Sequence, residues 1–301
     1  MICYNYLTKF FCGSKEVILE SEKVYDSTLE ENSSINSGDF DDIMRSRVYH
    51  RKMSKANNRL IKGIYTKRRN IFFADSRNFR HICEIQRRFE NGELGVGPTD
   101  TIYCLMCKAT NDLMIQRMYA VKNRPNFRPV SFWIPNLEKL SKKDFNPVLW
   151  EFMKNLFPSQ VSIVLPKGKW LDKILPSWQT SAIGNEDSIA MRCPNSPLIL
   201  GLMEKVGPLA ITSANPSGDI DVIDWMKTIK NVTKHEDVTF VITDIAADVE
   251  IASTVVNLKC EKMSMELEYF RLGCVPKEAV DDIWNDAWRK YNGNNQLIYN
   301  L

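Results

Sequence analysis

From Ile71 onward, apolar residues recur at two spacings, helical and strand-like, separated by short polar links. Phe79, Ile82, Cys83, Ile85 and Phe89 keep helical spacing, which predicts a helix over about 76–91, with Ser76 as cap and Gly92 as stop. Met114, Ile115, Met118 and Val121 line one face of a second helix opened by Asn111 and running into Lys122. Residues 147–157, 197–206 and 276–291 give three more, the last begun by Pro276 and acids that suit its dipole. Between them, apolar runs at 94–99, 129–134, 161–165, 188–192, 209–213, 238–242, 253–258 and 267–271 predict strands. Strands and helices interleave with short links, so the expected class is α/β with a single mixed, twisted sheet and flanking helices.

Ahead of this pattern lie two blocks of charge. Residues 16–42 hold nine acids and one base, Lys23; residues 45–69 hold ten bases and no acid. The expectation is a disordered N-terminal extension over 1–69, a domain over 70–275, and a C-terminal helix and tail over 276–301. The basic block can pair with the acidic one, or hold tRNA or rRNA phosphates, with Tyr49 and Tyr65 interleaved.

Composition adds exclusions. The chain has 301 residues, with 40 Lys+Arg against 37 Asp+Glu, 44% hydrophobic and 26% charged, which rules out a wholly disordered or fibrous chain. No apolar run reaches the ~18 residues of a membrane span. The N-terminus carries only Lys9 before Gly13 and then turns acidic, so a soluble, cytoplasmic protein is expected, with mitochondrial or plastid import left open. Eight dispersed cysteines read as reduced thiols rather than a disulfide frame. Cys104 and Cys107 form a single CxxC without a second ligand pair. Three scattered histidines argue against a His-based triad or metal centre. No GxxxxGK[ST] loop is present.

Four segments place polar or cationic groups at strand or helix ends, where open α/β sheets build sites. They are Pro98–Tyr103, Lys122–Pro125 followed by Arg128, Thr212–Gly218 with Arg192 at the end of SIAMR, and Ser253–Leu258 with Phe270–Gly273. Each alone can be a turn satisfying its own amides or a dipole-complementing cation. Together they outline a site in which Lys122, Arg124 and Arg128 converge on polyphosphate.

GPTDTIYCLMCKATN, KNRPNFRPVSFWI, SIAMRCPNSPLILGLMEKVGPLAITSANPSG, STVVNL and FRLG resemble, in order and spacing, the YrdC-like threonylcarbamoyl-AMP synthase family, over about residues 71–275. The resemblance implies the YrdC-like (RibB-like) α/β fold with a concave, positively charged cavity, in its single-domain form. It implies that L-threonine, bicarbonate and ATP give threonylcarbamoyl-adenylate and pyrophosphate with Mg²⁺. A separate transferase would then use the product to modify tRNA adenosine beside the anticodon. Carried over position by position, Lys122 and Arg124 would be catalytic and contact the ATP phosphates. Thr101, Arg192, Ser213 and Asn215 would bind threonine and bicarbonate, with Arg192 on the threonine carboxylate. Arg128, Ser162, Ser253 and Arg271 would complete the nucleotide site, and no protein side chain is assigned to the metal.

Several positions depart from the family pattern. Cys104 stands where the family has Gly, Ser159-Gln160 where it has Gly-Pro, Ser162 where it has Thr and Asn257 where Asp is usual. Trp133 occupies a position near the threonine pocket that is often smaller or polar. A rival reading is therefore a catalytically degenerate paralogue that binds tRNA, rRNA or double-stranded RNA through its cationic concavity and the 45–69 arm. A third, another carbamoyl-transfer enzyme, lacks the zinc-finger and acylphosphatase-like segments of such relatives.

Overall fold

The five predicted helices form, and four of them begin where a short side chain takes up a free backbone amide. The computed structural model describes residues 71–124, 128–215, 230, 232–243, 251–261 and 264–292. The expected 1–69 extension with its RNA-binding arm, residues 216–218 of the TSANPSG segment and the tail beyond 292 lie outside the described residues.

Helix α1 spans Phe79–Glu90, capped not by Ser76 but by Asn78, whose side chain accepts from Arg80 N. The reason lies just upstream: Asp75 closes a turn, its Oδ1 accepting from Arg77 N and its carbonyl from Asn78 N, so the helix starts only afterwards. α2 (Asp112–Val121) is capped by Asn111, and α3 (Pro147–Leu156) by Asn146. α4 (Pro197–Val206) is capped by Ser196; in both α3 and α4 a proline fills the first turn, where its missing N–H costs nothing. α5 (Lys277–Asn292) packs on α3, with Trp284 edge-on to Phe152 at 5.1 Å and Lys290 bonded to Glu151 at 2.6 Å.

Ten strands form one mixed sheet: β1 (Phe72–Ala74), β2 (Leu94–Gly97), β3 (Cys104–Lys108), β4 (Ser131–Trp133), β5 (Val161–Pro166), β6 (Ser188–Arg192), β7 (Leu209–Ser213), β8 (Val238–Ile242), β9 (Thr254–Glu261) and β10 (Ser264–Arg271). Their spatial order is β1-β8-β2-β3-β7-β4-β6-β5-β9-β10. β8 lies parallel to β1 and β2, β4 to β6 and β5 to β9, while the other neighbours are antiparallel. β2, β3 and β7 are covered on both faces, which is why their sequences run apolar instead of alternating. At Gly95 a Cβ would stand 2.1 Å from the Phe240 ring, so only glycine admits that ring, which stacks edge-on against Phe89 of α1. No described helix is long and apolar enough to cross a membrane.

Candidate functional site

Lys122 caps the C-terminus of α2, and Asn123 follows it in the left-handed region at φ 46°. That turn ends the helix, Arg124 N returning to Tyr119 O at 2.9 Å, and presents two cations beyond it. The ammonium of Lys122 crosses to the end of β7 and donates to Ser213 Oγ (3.0 Å), Thr212 Oγ1 (3.3 Å) and the Ser213 carbonyl. Its three donors are thus held by hydroxyls and a carbonyl rather than by a carboxylate. Burial, with Arg124 and Arg271 nearby, pulls the amine down to about 7. Arg124 is fixed through its Nε on the carbonyl of Arg128 (2.5 Å) and its Nη2 on that of Pro129 (3.1 Å). Burial first, then Arg128 and Arg271, holds it below the ordinary arginine range. The guanidinium of Arg128 itself is exposed.

Arg271 arrives from the far edge of the sheet. Ser162 pairs with Val255, and Val255 with Arg271, so the three share one face. Val256 and Tyr269 pair one step earlier on the opposite face, where the Tyr269 hydroxyl bonds Asp281 of α5. Regular alternation would put residues 269 and 271 together. A register shift leaves Phe270 as an extra residue and returns Arg271 to the face of Ser162. There Arg271 donates from Nε to the Ser253 carbonyl (2.8 Å) and from Nη2 to Ser253 Oγ (3.0 Å). Gly273 permits this clamp, because a Cβ would lie 2.3 Å from the Ala252 carbonyl. Four strands separate β10 from β7 in the sheet, yet Arg271 depresses both Lys122 and Arg124. The three positive charges are therefore close enough to repel one another.

A second group surrounds Arg192 at the end of β6. The hydroxyl of Thr99 shapes the preceding loop, accepting from the amides of Thr101 (3.1 Å) and Ile102 (3.2 Å). Asp100 is thereby held against Arg192: its Oδ2 accepts from Nη2 (2.8 Å) and from Asn195 N (2.7 Å). Arg192 Nε donates to the Ser159 carbonyl (2.9 Å), and Nη1 reaches Thr101 Oγ1 only at 3.5 Å. Trp133, adjacent in register, lies over the guanidinium at 4.5 Å and is fixed by its indole N–H on Ser131 Oγ (3.1 Å). Arg192 is 1% exposed, and burial lowers its pKa while Asp100 opposes that shift. Burial pushes Asp100 up despite Arg192. Gln160 joins in, its side-chain amide donating to the Asp100 carbonyl at 2.7 Å.

The structure therefore brings together Lys122 with Ser213, Lys122 with Arg124 and Arg271, Arg271 with Ser253, and Arg192 with Thr101. Asn215 follows Ala214, whose amide bonds the Tyr103 carbonyl beside the Thr101 loop (2.9 Å), and its Oδ1 is buried without a partner. Cys104, buried among these groups, has its thiol pushed up to about 12 by burial, so it is neutral and no nucleophile. Among the described residues no group of three or more His, Cys, Asp or Glu could hold a metal ion. Two residues that carry the geometry, Asp100 and Gln160, were visible in the sequence only as a carboxylate within the Pro98–Tyr103 segment and as part of the Ser159-Gln160 departure, with no individual role assigned.

A family model named Sua5/YciO/YrdC, described as telomere recombination, matches residues 87–273. The chain belongs to the Sua5/YciO/YrdC family. A threonylcarbamoyl-AMP synthase of Pseudomonas fluorescens is 28% identical over 139 residues, 46% of this chain and 71% of the relative. One from Pyrococcus abyssi is 29% identical over 130 residues, 42% of this chain and 36% of the relative. Among solved structures, P. abyssi Sua5 complexed with L-threonine superposes with a TM-score of 0.57 at 24% identity, over 71% of this chain and 60% of that one. Escherichia coli YciO gives 0.54 at 21%, over 68% and 95%. The chain thus spans about three fifths of the archaeal Sua5 and nearly all of YciO, and these structures establish a common YrdC-type fold.

Proposed function

We propose that this chain is a threonylcarbamoyl-AMP synthase, joining L-threonine, bicarbonate and ATP into threonylcarbamoyl-adenylate with release of pyrophosphate. The observation that carries the reading is the proximity of Lys122, Arg124 and Arg271, with Lys122 bonded to Ser213, Arg271 to Ser253, and Ser162 on the face of Arg271. Three cations with no carboxylate partner within hydrogen-bonding reach among the described residues suit a polyphosphate, and the hydroxyls suit its oxygens and a carbamate.

The chemistry asks for positioning more than for proton transfer. The threonine amine and bicarbonate condense with loss of water to a carbamate, whose oxygen attacks the α-phosphorus in line with the departing pyrophosphate. Lys122 and Arg124 neutralise charge that grows on the phosphoryl oxygens, and Arg271 holds the nucleotide from the opposite wall. Thr101, Ser213 and Asn215 line the region where carbamate and phosphate meet. Mg²⁺ would be carried in on the phosphates, since the described side chains offer it no cage; when bound it adds to the neutralisation of phosphate charge. The product is a reactive mixed anhydride, which a separate transferase would pass to tRNA.

A second reading, an RNA-binding paralogue without synthase activity, draws on the Trp133 ring over Arg192 and the Cys104 side chain beside it. One assay separates the two. Purified protein with ATP, Mg²⁺ and bicarbonate should release pyrophosphate only when L-threonine is added, with the adenylate seen by mass spectrometry. A folded, ATP-binding chain that shows no threonine-dependent turnover, but binds RNA with steep salt dependence, would overturn the synthase reading.

A further inference from the structure

We propose that Asp100 receives the α-ammonium of the amino-acid substrate while Arg192, its ion-pair partner, receives the carboxylate. This inference rests on the synthase reading and assigns a residue beyond the cations and hydroxyls already placed there.

The argument is an inventory of valences around one buried ion pair. Asp100 Oδ2 already accepts two hydrogen bonds, from Arg192 Nη2 and Asn195 N. Asp100 Oδ1 is buried and accepts none. A buried carboxylate oxygen left without a donor is costly, and folded proteins rarely leave one so unless an ordered water or a ligand donates to it. On the other side of the pair, Arg192 has committed Nε to the Ser159 carbonyl and one face to Trp133. Its Nη1 has only the 3.5 Å approach to Thr101 Oγ1. The pair is therefore saturated along its shared edge, with unused acceptor capacity on the Asp100 side and unused donor capacity on the Arg192 side, both buried. A zwitterion has the complementary ends, an ammonium with three donors and a carboxylate with only acceptors.

The position in the chain fits. Asp100 and Thr101 are consecutive in the loop that leaves β2, and Ala214 N bonds Tyr103 O, which brings the Ser213-Asn215 turn against that loop. The Asn215 Oδ1 is a second buried acceptor without a partner in the same neighbourhood. Two unfilled acceptors call for a ligand group that donates, which a carboxylate or a phosphate does not do. An ammonium does, and so does the N–H of the carbamate formed from it.

The test sets L-threonine against (2S,3R)-2,3-dihydroxybutanoate, the same skeleton with a hydroxyl in place of the ammonium. Binding of both to the full chain is measured by calorimetry, with and without ATP, and folding is followed by thermal melting. The wild type should prefer threonine by roughly 30-fold or more, the size of one buried charge-assisted hydrogen bond. Asp100→Asn should reduce that preference to a few-fold by weakening threonine while leaving the hydroxy acid nearly unchanged. Parallel weakening of both ligands would mean that Asp100 merely holds Arg192, and would overturn the assignment. Should Asp100→Asn not fold, the wild-type comparison and Asp100→Glu, expected to keep the preference, decide instead; equal wild-type affinities refute the proposal outright. A chain that binds ATP but no L-threonine sinks the synthase reading itself, whereas threonine binding without the preference sinks only the role of Asp100.

Discussion

On the proposed synthase reading, Lys122 should tie nucleotide binding to proton uptake. Its amine is buried beside Arg124 and Arg271, with no carboxylate among the described residues bonded to it, and its pKa falls to about 7. Above neutrality most free enzyme therefore carries an uncharged amine there. A polyphosphate brought against it supplies the missing opposite charge and draws the pKa back toward the ordinary lysine value. The sign follows: the bound state holds more protons than the free state, so affinity falls as pH rises through the window above 7. If recovery to an ordinary lysine is complete, uptake at pH 8 is about 0.9 proton, and Kd rises about 8-fold between pH 7.5 and 8.5. That window lies above the last phosphate ionisation, near pH 6, so the nucleotide's own charge is constant across it. Calorimetry in two buffers of different ionisation enthalpy gives the proton count directly, and the same titrations give Kd. Lys122→Met should bind more weakly and show neither the uptake nor the slope. A pH-independent Kd in the wild type, or the same uptake in Lys122→Met, would refute the argument.

Three further outcomes follow from the geometry. Arg124→Ala removes a guanidinium held rigidly by the carbonyls of Arg128 and Pro129, and should lower kcat/KM by ~10²–10³-fold, read as pyrophosphate release; near-normal turnover would take Arg124 out of the phosphate site. Trp133→Leu removes the ring at 4.5 Å from Arg192 and should raise the KM for threonine several-fold with that for ATP unchanged, while Trp133→Phe keeps most of the contact. Gly273→Ala sets a Cβ 2.3 Å from the Ala252 carbonyl, which should displace the segment carrying Arg271, weaken nucleotide binding about 10-fold or more, and lower Tm by several degrees; an unchanged Kd would show that Arg271 does not need that clamp.

The helices were legible because each has a periodic apolar face and four of the five have a short polar residue at their start. Eight strands were legible as apolar runs between turns, though β9 and β10 extend further toward their hairpin than the runs suggested. β1 escaped notice because three residues carry no period. β3 escaped because Cys104–Lys108 is covered on both faces and so does not alternate, leaving its thiols to read as plain buried cysteines. Four of the cations that matter were visible as residues: Lys122, Arg124, Arg192 and Arg271. Their surroundings were not, since Arg192 meets an aspartate 92 positions away and Lys122 a serine 91 positions away.

The deeper gap between sequence and site is topological. Strand order cannot be read from spacing, and it is the order β7-β4-β6-β5-β9-β10 that sets where Arg271 lies relative to Lys122. A single inserted residue at Phe270 then decides which face Arg271 occupies; alternation alone would have turned it toward α5. The same site thus depends on features of two kinds. The cations are local and survive inspection of a motif, whereas the pairing that orients them is long-range. Substitutions at Asp100, Trp133 or Gly273 should for that reason disturb substrate binding while every recognisable motif cation remains in the chain.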